Sequence, residues 1–192
     1  MSAPIHQLQH RDETDRLLLN RVAAGDRDAF RELYIAYHRR LARFLTRLTR
    51  RYELAEEIIN DTMWVVWRRA DKFRGESRVS TWIIGIAYRR ALKSLKSRGQ
   101  RQYETSPIED VVLVAPDELG EAETAEWILL GMQQLPAEQR LALEFAYGHG
   151  HSCEEIAQIM NCPVNTVKTR LFHARAKLRA LLPGLAGAQP EL

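Results

Sequence analysis

The chain has 192 residues, 45% of them hydrophobic and 28% charged, enough apolar content for one ordinary domain or two small ones and too much for a disordered polyelectrolyte. No apolar run is long enough to span a bilayer, and the polar segment Met1–Asp15 lacks the basic-then-apolar pattern of a secretory signal, so the expected location is the cytoplasm. The net charge of +3 says little about partners by itself, and the two cysteines, Cys153 and Cys162, are expected to be free thiols rather than a disulfide framework.

Helical periodicity begins in a short stretch from about Glu13 to Ala24, which Gly25-Asp26 breaks. Asp26 or Asp28 can cap the next helix, whose apolar face is Phe30, Leu33, Tyr34, Tyr37, Leu41, Phe44, Leu45 and Leu48. A third helix is predicted from about Glu53 to Ala70, with Ala55, Ile58, Ile59, Thr62, Met63 and Val66 inward. Trp64 and Trp67 either leave that stripe or widen it. After the break at Phe73–Ser77, Ser80 is placed to cap a fourth helix carrying Trp82, Ile83, Ile86, Ala87, Ala91 and Leu95, with Gly99 as its stop.

Charge is distributed in blocks. Arg68 to Arg101 holds eleven Lys/Arg against two acids, Gln102 to Glu126 holds eight acids and no base, and Pro163 to Leu182 holds five Lys/Arg and no acid. Two basic blocks around an acidic one suit two contacts with a polyanion, joined by a strip that avoids it. The acidic stretch from Gln102 to about Leu119 is aperiodic and contains Pro107 and Pro116, so it reads as a linker.

Helices resume from Glu121 to Leu135, and Pro136 suits the first turn of another that Gly148 and Gly150 end. Ser152-Cys153-Glu154-Glu155 reads as a capping box opening a short helix to Met160. Asn161-Cys162-Pro163 is a tight turn, and Asn165 or Thr166 begins a last helix that ends before Pro183-Gly184. Two helices on so short a turn form a helix-turn-helix, whose second member enters the major groove. Val167, Leu171, Ala174 and Leu178 face its core, while Asn165, Thr166, Lys168, Thr169 and His173 are placed to reach base edges or phosphates and Arg175 and Arg179 also point away from the core. The motif alone fits a repressor or a response-regulator output domain equally well.

The order of motifs narrows this choice. Ala24-Gly25-Asp26-Arg27-Asp28-Ala29-Phe30 with Leu33-Tyr34, then Ala55-Glu56-Glu57-Ile58-Ile59-Asn60-Asp61-Thr62 and Val66-Trp67, then Phe73-Arg74-Gly75-Glu76-Ser77, Ser80-Thr81-Trp82-Ile83 and Ile86-Ala87, together resemble region 2 of the sigma-70 family in its extracytoplasmic-function (ECF) group. Leu135-Pro136, Glu155-Ile156-Ala157, Thr166-Val167-Lys168-Thr169-Arg170-Leu171 and Ala174-Arg175 with Leu178 are similar to region 4. The match runs from about Leu17 to Leu182.

The resemblance implies an all-α protein of two small helical domains joined by a flexible acidic linker, the second containing the helix-turn-helix. Residues 1–14 would be a tail, 15–101 the region 2 domain, 102–120 the linker, 121–183 the region 4 domain and 184–192 a second tail. It implies a sigma factor, a non-enzyme that binds core RNA polymerase and directs promoter recognition, melting and initiation. Glu56, Glu57, Asn60, Asp61, Trp64 and Trp67 would meet the polymerase clamp. Phe73, Arg74, Gly75, Glu76, Ser77, Arg78, Thr81, Trp82, Arg89, Arg90 and Lys93 would meet the minus-ten element, with the loop Phe73–Arg78 holding an unstacked base. Asn165, Thr166, Lys168, Thr169, Arg170, His173 and Arg175 would read the minus-thirty-five element. The linker would thread the polymerase cleft, mimicking nucleic acid, or serve as a solubilising spacer. An anti-sigma partner is expected.

The chain departs from the family pattern in three places. Glu57 to Met63 stands for the usual Asp-Leu-x-Gln-Glu/Asp-x-Phe, His173 where Arg is common, and Asn165 where Gly is frequent. His149, His151, Cys153 and Cys162 lie close in sequence but match no standard zinc spacing, so neither a metal nor any other cofactor is expected; a redox role has equally little behind it. The rival readings are a stand-alone helix-turn-helix regulator, separable by a gel shift with and without core polymerase, and a nucleic-acid-processing enzyme, for which no nucleophile or metal-ligand set is visible.

Overall fold

The computed structural model describes residues 5–97 and 130–186, all the regular structure of which is helical. Four long helices come first: α1 (Ile5–Ala23), α2 (Arg27–Thr49), α3 (Tyr52–Arg69), which ends in a short 3₁₀ turn (Ala70–Lys72), and α4 (Val79–Ser97). After residues 130–133, which are helical, come α5 (Ala137–Leu143) with a π-helical turn (Glu144–Gly148), α6 (Cys153–Met160) and α7 (Val164–Ala186).

The first four helices share one core because each has an apolar stripe at three-four spacing. Leu33, Tyr37, Leu41, Phe44 and Leu45 of α2 are fully buried, and the whole predicted inner stripe of α3 is buried with them. Asp26 caps α2, accepting from the backbone N–H of Asp28 (2.9 Å) and Ala29 (3.0 Å). Tyr37 donates its hydroxyl to buried Asp15 (2.5 Å), pinning α2 to α1. Burial raises the Asp15 carboxyl above its usual range, against the pull of the Tyr37 bond.

Three boundaries differ from the sequence reading. The first helix begins at Ile5, so residues 5–14 are helical and not a tail. Ser80 does not cap the fourth helix, which starts one residue earlier; the N–H of Val79 is instead satisfied by Asp12 Oδ1 of α1 (2.9 Å). The last helix starts at Val164 and continues through Pro183 to Ala186, although a proline there lacks the N–H that would reach back one turn. The Gly99 stop, the acidic linker and residues 121–129 lie outside the described residues.

The second unit is built on Leu135, Leu141, Ile156, Ile159, Val167, Leu171 and Ala174, all buried. Ser152 and Glu155 form the predicted capping box: Ser152 Oγ accepts from Glu155 N–H (3.2 Å) and Glu155 Oε2 from Ser152 N–H (2.9 Å). Asn161 ends α6 in the left-handed region (φ 51°), and Cys162-Pro163 leads into α7.

The two units pack against each other. Phe145 is fully buried and meets Phe44 of α2 (5.6 Å between centroids) and Tyr88 of α4 (6.3 Å). Arg47 donates to buried Glu144 (2.9 Å), whose carboxyl burial nonetheless pushes up. His149 and His151 lie buried at the same junction, both with depressed basicity. Burial takes His149 down to about 3, with help from Arg40, Arg43, Arg47 and His151.

Candidate nucleic-acid interface

The exposed side of α3 is one continuous stripe. Glu53, Glu57, Asn60, Asp61, Trp64 and Arg68 recur at helical spacing and all face out. Trp64 is 58% exposed, with the Arg68 guanidinium over its ring (5.8 Å). Trp67, by contrast, is half-buried and packs edge-on against Phe30 (5.2 Å). Glu56 is turned toward His38 (3.1 Å), and Asn60 accepts from the Tyr34 hydroxyl (2.9 Å). Asp61 is paired with Arg90 of α4. The six residues assigned to one contact surface thus divide: Glu57, Asn60, Asp61 and Trp64 are exposed, whereas Glu56 and Trp67 sit at the core's edge.

The loop between α3 and α4 and the outer side of α4 gather the second set. Phe73 is half-buried against Trp82 (5.4 Å), and Gly75 adopts φ +74°, which a side chain would strain. Arg74 and Glu76 are exposed and face each other at 3.8 Å. Arg89 folds over Gly85, where an added Cβ would lie 3.1 Å from its Nη1. Lys93 is exposed one turn further on. Arg78 and Thr81 are engaged by the second unit: Arg78 pairs with Glu155 and donates to Gly150 O (2.8 Å), and Thr81 donates to Glu155 Oε1 (2.9 Å). Burial alone would raise Glu155, but His151, Arg78, the Ser152 N–H and Thr81 hold it well below the carboxylate range.

On α7, Asn165, Lys168, Thr169 and His173 are exposed on the side away from Val167 and Leu171, and Arg175, one turn beyond Leu171, is exposed at the edge of the buried face. Arg175 donates to the Tyr147 hydroxyl (3.3 Å) and Thr169 to Asn165 O (2.9 Å). Thr166 is half-buried. Arg170 is turned back into the unit, paired with Glu138 and donating to Cys162 Sγ (3.3 Å). Phe172, absent from the sequence-derived set, is 64% exposed beside His173 (5.5 Å between rings). Its 100°-per-residue position, between those of Asn165 and Lys168, was the available signal. Cys153 and Cys162 are free thiols, and among the described residues no group of three or more His, Cys, Asp or Glu is placed to hold a metal ion.

A helix-turn-helix joined to a second helical unit with its own basic helix defines a DNA-binding factor of two parts. The Sigma-70 region 2 family matches residues 33–101 and the Sigma-70, region 4 family residues 125–178. The ECF RNA polymerase sigma factor SigM of Mycobacterium tuberculosis (strain ATCC 25618 / H37Rv) is 35% identical over 171 residues, which cover 89% of this chain and 86% of that protein. The ECF RNA polymerase sigma-E factor of Escherichia coli (strain K12) is 31% identical over 174 residues, covering 84% and 91%. Among solved structures, sigma factor RpoE of Bartonella quintana, crystallised with the anti-sigma factor NepR, superposes with a TM-score of 0.63 at 25% identity, covering 80% of this chain and 96% of that one. The chain belongs to the ECF group of sigma-70 family RNA polymerase sigma factors. That membership decides against the stand-alone regulator.

Proposed function

We propose that this sigma factor docks on core RNA polymerase through the exposed stripe of α3 and contacts promoter DNA at two places, with α4 and its preceding loop at the minus-ten element and α7 at the minus-thirty-five element. The division into a region 2 domain, an acidic linker and a region 4 domain belongs to the same reading. The observation that carries it is the separation of surfaces: an acid-edged stripe with one exposed tryptophan on α3, and two basic helices, α4 and α7, in different units. An aromatic anchor within a charged rim is the composition of a protein interface. Basic helices with exposed Arg, Lys and Thr are the composition of a DNA interface.

Minus-ten recognition calls for a base drawn out of the stack, held by aromatic surface and flanked by cations. Phe73 and Trp82, with Arg74 in the loop and Arg89 and Lys93 further along α4, supply those groups. On α7, Asn165, Lys168, Thr169, Phe172, His173 and Arg175 present donors and one apolar face for groove contact. Each unit binds DNA weakly alone, and tethering through polymerase raises the effective concentration of both. The protein performs no covalent chemistry itself and works in the cytoplasm, where polymerase and promoters are. An anti-sigma partner is supported by the Bartonella relative, which was solved with one.

Run-off transcription with purified core polymerase tests the proposal. A promoter-dependent product that requires this chain is expected. Its absence, together with tight DNA binding without polymerase, overturns the reading.

A further inference from the structure

The loop Phe73–Arg78 has little of its own to hold its shape. Within it, Ser77 Oγ donates to Arg78 O (3.3 Å), and the exposed Arg74–Glu76 pair is long at 3.8 Å. Arg78, the loop's last residue, is held by Glu155 and Gly150 of the second unit; the rest of the loop is gripped from α1, some sixty residues earlier. Arg16 Nη2 donates to Ser77 O (2.9 Å), and the same guanidinium lies over the Phe73 ring (5.5 Å). It also passes so close to Gly75 that an added Cβ would lie 3.1 Å from Nη1. Asp12, one turn earlier on α1, fixes Arg16 by accepting from its Nε (2.7 Å) on Oδ2. Its Oδ1 accepts the N–H of Val79 (2.9 Å), the first residue of α4. One carboxylate and one guanidinium thus hold both ends of the loop and touch its middle.

We propose that Asp12 and Arg16 are positioning residues for minus-ten recognition, clamping the loop Phe73–Arg78 in the shape that receives the unstacked base. The inference rests on the loop's assignment to minus-ten recognition. A guanidinium suits the task because its flat face lies over a ring while its in-plane N–H groups donate to two fixed acceptors, whereas an ammonium has no plane to lay on the ring. Asp12 suits it because a carboxylate has two oxygens, one for the start of α4 and one for Arg16. A loop held before binding loses less freedom on receiving a base, and a fixed pocket discriminates between bases better than a mobile one.

The test uses holoenzyme assembled from purified core polymerase and the full chain, presented with a single-stranded DNA pool randomised over six positions. Sequencing the retained strands gives the base preference at each position. Wild type is expected to show a preference at one or more positions. Arg16→Ala and Asp12→Ala are expected to weaken that preference on the order of tenfold, the worth of a single base-specific interaction, while affinity for core polymerase stays unchanged. Arg16→Lys keeps the charge but not the geometry and is expected not to restore it. Asp12→Asn keeps an acceptor for Val79 N–H, so α4 stays capped and the chain folds, yet Arg16 loses its anchor and the preference still falls. Thermal unfolding of each variant separates general destabilisation from loss of preference. If Arg16→Ala or Asp12→Asn retains full preference, whatever its melting temperature, the proposal is overturned. If wild-type holoenzyme retains strands with no base preference, the loop is not a base trap, and the minus-ten assignment fails first and takes this one with it.

Discussion

Trp64 and Trp67 sit three residues apart on α3 and have different jobs. Trp67 packs on Phe30 at the edge of the core, while Trp64 stands 58% exposed with Arg68 over it. Trp64→Ala is expected to weaken binding to core polymerase by about 1–3 kcal/mol, as loss of an aromatic anchor does. Its melting temperature should stay within about 2 °C of wild type, since surface changes leave stability nearly unaltered. Trp67→Ala should do the reverse, lowering stability to urea by about 1–3 kcal/mol, below the cost of a fully buried tryptophan. Titration with labelled core polymerase and urea unfolding of both variants check the pair. The sequence reading kept both between core and surface, yet at 100° per residue Trp64 lies opposite the Ala55–Val66 stripe, whereas Trp67 lies beyond its Met63 edge, a position that spacing leaves open and that Phe30 of α2 covers. Arg170 shows the same limit: its motif position suggests DNA, and Glu138 and Cys162, brought close by folding, hold it inward.

Among the elements, α6 was the most legible from the sequence. Ser152 and Glu155 stand at the spacing a capping box requires, and the box forms. The same glutamate also pairs with Arg78 and accepts from Thr81, contacts with α4 and the residue before it that no local pattern announces. Ser152→Ala should therefore cost about 1 kcal/mol, the worth of a cap. Glu155→Ala should cost more, because it breaks the cap and leaves Arg78 without its carboxylate. Urea unfolding of both variants measures the difference, and equal losses would mean that the contact with α4 adds nothing. The fourth helix illustrates the opposite case. Ser80 is a plausible local cap, yet the donor at Val79 is met by Asp12 of α1, because packing of α1 across the start of α4 puts a carboxylate there first.

For the whole molecule, the junction between the two units should make stability fall in acid. His149 and His151 are kept neutral by burial, with Arg40, Arg43 and Arg47 of α2 facing His149, and Arg78, Arg40 and Glu155 facing His151. An unfolded histidine titrates near 6.5, so between about 6.5 and 3 the unfolded chain binds more protons than the folded one at His149. The resulting stability is present above about pH 6.5 and is lost as pH falls. Glu155, with its folded value depressed, adds a loss of the same sign below the carboxylate range, while Glu144, raised by burial, acts in the opposite sense as its proton comes off. Melting temperature is expected to drop on going from pH 7 to pH 5, and His149→Phe should flatten that dependence. On the DNA side, with holoenzyme formed, Lys168→Ala or Arg175→Ala should weaken promoter binding across sequences. Removing a side chain that neutralises one phosphate should lower the salt slope by about 1, read from binding at several salt concentrations.

The helical class, the apolar stripes, the capping box, the turn of the helix-turn-helix and the alternation of basic and acidic blocks are all legible along the chain. These follow from spacing of a few residues along one chain, where side-chain direction is dictated by helical geometry. Packing of distant elements settled that Phe30 covers Trp67, that Arg170 turns inward, that Asp12 and Arg16 hold a loop far along the chain, and that Glu155 reaches α4. Each of those outcomes depends on which distant group arrives within hydrogen-bond or van der Waals range. That is a property of how the helices pack and not of any one helix's pattern.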